Sequence, residues 1–269
     1  SLNAPAVQAI PDRTRANEVA RKSNDMLAEW VQRNPGRFRG FAALPLQDVD
    51  MACGELDRCI NDLGFVGALV NGFSQIDTEE SAVYYDLPQF APFWDQMAKH
   101  DVPLYLHPRN PLPSMAQIYD GHPWLLGPTW AFGQETAVHS LRLMASGLFD
   151  RHPDLQIVLG HMGEGLPYSI WRVDNRNKWV GDKRAYPAKK MLGEYFQNNF
   201  YITTAGNFRT QTLIDAMLEI GSDRILFSAD WPFENVDHAA DWFDSCTISE
   251  GDRLKIGRTN TLRLFGIDI

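Results

Sequence analysis

Short apolar segments alternate with longer amphipathic segments along the chain. The short segments lie at 38–46, 64–72, 102–110, 155–164, 200–207 and 224–233. They carry β-branched or aromatic residues at neighbouring positions rather than at alternate ones, which is typical of strands buried on both faces of a parallel sheet. The longer segments place apolar residues three and four apart, the period of a helix, and lie at 15–33, 48–63, 90–100, 134–149 and 209–221. The pattern predicts an α/β fold.

The strand–helix alternation continues without a change of composition, a Pro/Gly/Ser-rich linker, an internal repeat or a low-complexity tract, so we expect one domain over residues 1–269. Polar residues end five of the predicted strands: Asn71, His107, His161, Thr204 and Asp230. Active-site side chains of TIM barrels come from the carboxyl ends of the strands. The positions of these residues favour a (β/α)₈ barrel of the TIM type over a doubly wound sheet.

Six predicted strands are two fewer than a closed (β/α)₈ barrel needs. Since one β/α unit takes roughly 31 residues, about 55 residues are expected to be missing before Ser1. We therefore expect an N-terminally incomplete barrel that lacks strand 1 and most of strand 2. Its first and last strands, at FAALPL and ILFSA, would then leave backbone groups unpaired along two sheet edges.

Charge and cysteine content narrow the class of protein. The chain has 25 Lys and Arg against 34 Asp and Glu, a formal net charge of −9, and so lacks the basic face that nucleic acids and anionic membranes require. No apolar run is long enough to span a membrane. Three cysteines without a CxxC motif predict neither disulfides nor a thiolate metal site, as expected of a cytoplasmic protein.

Two histidines and one aspartate are the strongest candidates for chemistry. His107 ends one predicted strand and is followed by a proline, and His161 ends the next strand, with Glu164 three residues later to orient its ring. Asp230 ends a strongly apolar strand, where a carboxylate needs a compensating cation. This donor set favours a metal site.

Other motifs in the chain do not indicate a specific binding or catalytic function. The segment GHMGEG has its glycines in the wrong order for a dinucleotide-binding loop, and the chain contains neither a GxSxG elbow nor a phosphate-binding GK[ST] loop. The remaining histidines have structural interpretations. His100 and His152, at the ends of helices, are expected to be exposed, and His139 is expected to pack inside a helix.

The strings LYLHPRNP, VLGHMGEGLPYSIWR, ITTAGNF and DRILFSADWPFE carry a family resemblance. With His107, His161 and Asp230 at the strand ends, the chain resembles the decarboxylase branch of the amidohydrolase superfamily. The likeness is greatest to the 2,6-dihydroxybenzoate (γ-resorcylate) decarboxylases and weaker to the 2,3-dihydroxybenzoate decarboxylases, and it extends from Ser1 to about Ile267. It implies a homo-oligomeric carboxy-lyase of aromatic compound catabolism, a tetramer or dimer, that reversibly removes CO₂ from a hydroxybenzoate without oxidation.

The resemblance also implies roles for individual residues. His107 and Asp230 would be ligands of one divalent metal ion, Zn²⁺ or Mn²⁺, and Asp230 would also protonate the ring. His161 and Glu164 would move protons at a substrate hydroxyl. The implied substrate-binding residues are Arg172, Asn71 and Phe132, and core packing is the alternative for Phe132 and its neighbours Trp124 and Trp130. The family's further ligands, a Glu and usually a His, belong to the strand expected to be missing.

Two alternatives remain at this point. A hydrolase or hydratase of the same superfamily would use His107, His161 and Asp230 to activate a metal-bound water. A truncated barrel without its first strand would be inactive. Release of CO₂, hydrolysis products and metal content distinguish the three.

Overall fold

The computed structural model describes residues 1–180 and 185–267. The chain divides into two compact units, Ser1–Leu155 and Gln156–Ile269, and each is described by itself. The expectation of a single domain stays a prediction. Among the described residues, no helix combines the length and the apolar character needed to cross a membrane.

The first unit is built on three parallel strands in chain order. These are β1 (Ala42–Ala43), β2 (Ala68–Asn71) and β3 (Leu104–His107), and β2 lies between the other two. Its helices are α1 (Arg13–Arg33), α2 (Val49–Asn61), α3 (Ala91–His100), α4 (Ala131–Ala145) and α5 (Leu148–Arg151). Helices α1 and α2 begin where Asp12 and Asp48 accept hydrogen bonds from backbone N–H groups three residues later.

The second unit repeats this arrangement. Strands β4 (Ile157–Leu159), β5 (Phe200–Thr203) and β6 (Ile225–Leu226) are parallel, fully buried and in chain order. The helices are α6 (Leu166–Val180), α7 (Leu192–Asn199), α8 (Thr210–Ile220), α9 (Val236–Ser245), α10 (Glu250–Leu254) and α11 (Asn260–Leu264). A π-helical turn, Lys255–Thr259, joins the last two.

All six predicted strands are present, and every strand pair within a unit is parallel as expected. The predicted helix 134–149 is instead two helices, because Gly147 adopts a φ of 77° between α4 and α5. Helix α6, like α7, α9, α10 and α11, lies outside the helical segments named from the sequence. Its exposed aromatic residues Tyr168, Trp171 and Trp179 obscure the helical period of its buried positions.

At four backbone groups of the two strand edges, the expectation of unpaired groups is wrong. On β1, the side chain of Asn24 from α1 accepts a hydrogen bond from Ala43 N and donates one to Ala43 O, both at 2.9 Å. On β6, Asn260 Nδ2 donates to Ile225 O at 2.8 Å. Just after β6, Phe227 N donates to the carbonyl of Ile256. Two buried asparagine side chains thus supply the hydrogen bonds that a neighbouring strand would make.

We expect Asn24→Ala to lower the free energy of unfolding by about 2–4 kcal/mol, because it leaves one buried N–H and one buried C=O of Ala43 without their partner. Chemical denaturation measures the change. Lys22→Ala, at an exposed position of the same helix, is the matched control. Equal stability of the two variants would contradict the role of Asn24.

Candidate active site

In the first unit, the carboxyl ends of β2 and β3 bring together two of the predicted site residues. Asn71 and His107 are register partners, and Gly72 N donates to His107 O at 2.8 Å. The His107 Nδ1 atom lies 2.9 Å from the carbonyl oxygen of Pro108. Because a carbonyl only accepts, Nδ1 carries a proton, and the neutral ring then has its lone pair on Nε2. That tautomer is a metal ligand.

Asn71, the last residue of β2, is buried. Its backbone N donates to Gln8 Oε1 at 3.1 Å, while its side-chain oxygen Oδ1 has no hydrogen-bond partner among the described residues. A buried amide oxygen without a partner is unfavourable by about 1–3 kcal/mol. This unsatisfied acceptor is consistent with the prediction that Asn71 binds substrate, which stays a prediction.

The aromatic residues that follow β3 differ in their surroundings. Phe132, near the start of α4, lines a cavity of about 270 Å³ in the first unit together with Gln75, Arg109 and Leu112. Trp124 and Trp130 are 61% and 56% exposed, so core packing is wrong for both. Contact of any of the three with a substrate ring stays a prediction.

In the second unit, His161 and Glu164 lie on a left-handed turn directly after β4. All five residues from 161 to 165 have positive φ, between 51° and 79°, although only two of them are glycines. Left-handed backbone at a non-glycine residue is unfavourable by about 1–3 kcal/mol and persists where the surrounding structure imposes it, often at functional sites. Asp230, after β6, is also left-handed, with a φ of 64°.

This turn brings three predicted catalytic residues together. His161 Nδ1 lies 2.6 Å from Glu164 Oε1, and His161 Nε2 lies 3.7 Å from Asp230 Oδ2. Burial lowers the pKa of the imidazole, but its interactions with Asp230 and Glu164 outweigh burial and raise that pKa to about 10. The imidazolium therefore has a carboxylate at each ring nitrogen.

Sequence reasoning missed two residues that lie beside predicted site residues in space or in sequence. A Cβ on Gly206, which has a φ of 63°, would come within 3.0 Å of His161 Cδ2 and 3.2 Å of Asp230 Oδ2. Arg109, two residues after His107, is buried, and burial lowers the pKa of its guanidinium. A glycine just after a strand, such as Gly206, can indicate a close approach of other atoms to the backbone. An arginine in a proline-rich segment, such as Arg109, is instead typical of an exposed loop.

The other candidates are placed as follows. Arg172 is exposed on α6 and has no hydrogen bond to another described residue, so its substrate-binding role stays a prediction. His139 is fully buried, as expected, and burial lowers its pKa to about 3. The predicted exposure of His100 and His152 is wrong. Their side chains are 9% and 15% exposed, and their Nε2 atoms lie 3.1 Å from Asp57 Oδ1 and 3.2 Å from Asp95 Oδ1 respectively.

The donor chemistry of this chain fits part of a metal site. His107 presents the tautomer that coordinates metals, and the Asp230 carboxylate is 26% exposed beside a cationic imidazole. In residues 1–180 and 185–267, no three His, Cys, Asp or Glu side chains form a group able to hold a metal ion by themselves. An imidazole and a carboxylate are donors that divalent metals accept, and the prediction that His107 and Asp230 bind one ion stays a prediction.

Known proteins resemble the chain over nearly all of its residues. A family model described as amidohydrolase matches residues 2–267. Gamma-resorcylate decarboxylase of Rhizobium radiobacter is 70% identical over 268 residues, which are 100% of this chain and 82% of that protein.

Two solved structures are similar to this chain in both sequence and fold. Crystalline 2,6-dihydroxybenzoate decarboxylase in complex with 2,6-dihydroxybenzoate is 69% identical and has a TM-score of 0.97, covering 99% of this chain and 82% of that one. Dihydroxybenzoic acid decarboxylase of Polaromonas sp. JS666, with bound manganese and the inhibitor 2-nitroresorcinol, is 68% identical and has a TM-score of 0.96, covering 99% and 80%. These similarities confirm the predicted α/β fold of the TIM-barrel type.

The prediction that barrel strands are missing is not supported by these matches, because the relatives cover 100% of this chain. The family model likewise extends from the second residue to Ile267, the limit that the sequence motifs indicate. On the strength of this model and of relatives about 70% identical over its whole length, the chain belongs to the amidohydrolase family.

Proposed function

We propose that this protein catalyses the reversible, non-oxidative decarboxylation of 2,6-dihydroxybenzoate to resorcinol and CO₂ with the help of one divalent metal ion. The observation that carries the proposal is the cluster of His161, Glu164 and Asp230 on left-handed backbone after β4 and β6. The decarboxylase relatives, which are 66–70% identical, support the same substrate. The protein is thus a carbon–carbon lyase.

The chemistry of the substrate determines the order of events. Direct loss of CO₂ from an aromatic ring would leave an electron pair in an sp² orbital of the ring, where resonance cannot delocalise it. Protonation of the carbon that bears the carboxylate avoids this anion. The two ortho hydroxyls stabilise the dearomatised ring, and cleavage of the C–C bond then returns its electron pair to the ring as CO₂ leaves. The ring proton gained in the first step balances the lost carboxylate.

Asp230 is the residue that we assign to ring protonation. Its Oδ2 lies 3.7 Å from His161 Nε2, so the imidazolium can pass a proton to Oδ2 once the two atoms move to hydrogen-bond distance, and Oδ2 then delivers it to the ring carbon. Glu164 accepts from Nδ1 of the same imidazole and keeps the ring oriented. In the reverse direction the same carboxylate of Asp230 removes the proton from the ring carbon.

His107 and Asp230 are the residues that we assign to the metal, and manganese is the ion bound in the Polaromonas structure. When bound, the cation would supply Lewis acidity to the oxygens of the substrate. The neutral tautomer of His107, fixed by the Pro108 carbonyl, suits it for this role. Zn²⁺ also binds imidazole nitrogen and carboxylate oxygen and is the alternative ion.

We assign substrate contacts to Asn71, Phe132 and Arg172. Asn71 offers an unsatisfied amide oxygen to a substrate hydroxyl, and Phe132 lines a cavity with room for a benzene ring. The exposed guanidinium of Arg172 is available to the substrate carboxylate. Each contact predicts a higher KM in the corresponding alanine variant.

The proposed reaction is tested by supplying Mn²⁺-loaded protein with 2,6-dihydroxybenzoate and measuring CO₂ and resorcinol in equal amounts. In D₂O we expect deuterium at the carbon between the hydroxyls. 3,5-Dihydroxybenzoate, which has no ortho hydroxyl, is the control substrate and should release no CO₂. Hydrolysis of ester or amide probes without CO₂ release would instead favour the hydrolase alternative.

We also infer a homo-oligomer in the cytoplasm. Tyr168, Trp171 and Trp179 of α6 are 86%, 70% and 75% exposed, an unusually apolar set for a surface that faces only water. The cysteines Cys53, Cys59 and Cys246 are all free thiols, as in a reducing compartment. Sedimentation analysis of the purified protein distinguishes a dimer or tetramer from a monomer.

A further inference from the structure

Arg109 is held across the carboxyl ends of β2 and β3. Its guanidinium donates to Phe73 O and to Gln75 Oε1, both at 2.9 Å, and lies 4.0 Å from the centre of the Phe73 ring. These contacts tie the segment that follows β3 to the segment that follows β2. Arg109 is only 6% exposed.

The site for this side chain depends on Gly72. A Cβ at this position would lie 2.5 Å from Arg109 Cγ and 2.7 Å from Arg109 Cδ, closer than non-bonded carbon atoms approach. Gly72 also has a φ of 63°, which favours glycine. The absence of a side chain at Gly72, directly after β2, therefore leaves room for the aliphatic part of the Arg109 side chain.

A guanidinium, such as that of Arg109, is rarely buried only to fill space. It donates to Gln8 O, Phe73 O and Gln75 Oε1, which are uncharged acceptors, and its Nε has no hydrogen-bond partner among the described residues. Desolvation of a guanidinium among uncharged acceptors is unfavourable. An apolar side chain of similar length would avoid that desolvation, so the arginine serves a purpose other than packing.

The connection to His107 is through one peptide unit. The Pro108 carbonyl that accepts from His107 Nδ1 belongs to the peptide bond that joins Pro108 to Arg109. Anchoring Arg109 on Phe73 and Gln75 therefore fixes where that carbonyl points. The carbonyl in turn sets the tautomer and the orientation of the imidazole.

We propose that Arg109 is a positioning residue that holds the Pro108 carbonyl, and through it His107, in the arrangement that binds the metal ion. This inference rests on the proposed metal role of His107. According to this proposal, metal affinity depends on a residue that is not itself a ligand, through the contact between Arg109 and the segment Gly72–Gln75.

The test compares two ways of removing the same contact in the intact protein. Arg109→Met deletes the guanidinium, and Gly72→Ala displaces it while leaving Arg109 in the sequence. Gly64→Ala is the matched control, since Gly64 has a φ of 67° but a methyl group added there would meet no atom within 4 Å. Mn²⁺ affinity is measured by titration, following the electron paramagnetic resonance signal of the free ion, at a temperature where thermal unfolding shows every variant folded.

We expect the Mn²⁺ Kd to rise about 10–100-fold in Arg109→Met and in Gly72→Ala, and to stay within about twofold of the unaltered protein in Gly64→Ala. Saturating Mn²⁺ should restore kcat in both affected variants. An unchanged Kd in Arg109→Met, with or without a lower melting temperature, would overturn the inference by making the residue structural only. Failure of the unaltered protein to bind Mn²⁺ would overturn the proposed metal role and this inference with it.

Discussion

Asp230→Asn is expected to lower kcat for decarboxylation by about 10³-fold or more, the range for loss of a positioned general acid. The amide is almost the same size as the carboxylate, and its oxygen can still serve as a ligand. It cannot carry a proton to the ring carbon, and it removes the negative charge 3.7 Å from His161 Nε2. This variant should therefore still bind the metal ion but no longer catalyse decarboxylation.

Two measurements distinguish metal binding from catalysis in this variant. Metal content per chain reports whether the site is still loaded, and exchange of the resorcinol proton between the hydroxyls for deuterium reports proton transfer without C–C cleavage. We expect metal to be retained and exchange to be lost. Asp244→Asn, at an exposed position of α9, is the matched control and should behave like the unaltered protein. A metal-loaded Asp230→Asn protein with near-normal turnover would exclude Asp230 as the acid.

Glu164→Gln is expected to lower kcat by about 10²-fold. The glutamine can keep an acceptor oxygen near His161 Nδ1, but it removes the charge that favours the protonated imidazole. The Glu164 side chain is 4% exposed, so solvent cannot replace that charge. Because we assign Glu164 no contact with substrate, KM should change much less than kcat.

The control for this variant is Glu250→Gln. Glu250 also pairs with a cationic residue three positions away, Arg253, but its side chain is 85% exposed and the pair contributes little. We expect kcat in this control to be unchanged. If Glu164→Gln retains its kcat and instead raises KM to the same extent as an alanine variant of Asn71, then Glu164 binds substrate and does not orient His161.

Much of the architecture is encoded in local sequence. Apolar residues on both faces of each strand predict parallel strands between helices, and both units have them. The three-residue spacing of His161 and Glu164 and the position of Asp230 after the last apolar strand predict groups that do lie together in the second unit. Periodicity and strand ends determine these features because they depend on which faces of neighbouring elements are buried.

Other features were decided only by tertiary structure. Local preference disfavours a left-handed backbone at His161, Met162 and Glu164, and contacts from elsewhere in the unit, such as the hydrogen bond from Met162 N to Thr203 O, are needed to hold it. Asn24 in a helix and Arg109 after a strand are both typical of exposed positions in a sequence.

Each of these two polar side chains is buried because its partners come from distant parts of the chain. Asn24 pairs with the backbone of Ala43, and Arg109 with Phe73 and Gln75. Burying a polar group is favourable only where such partners are already in place. The sequence by itself therefore determined the order of the elements and the candidate catalytic groups, whereas the hydrogen bonds at the sheet edges and those that anchor Arg109 exist only once the chain has folded.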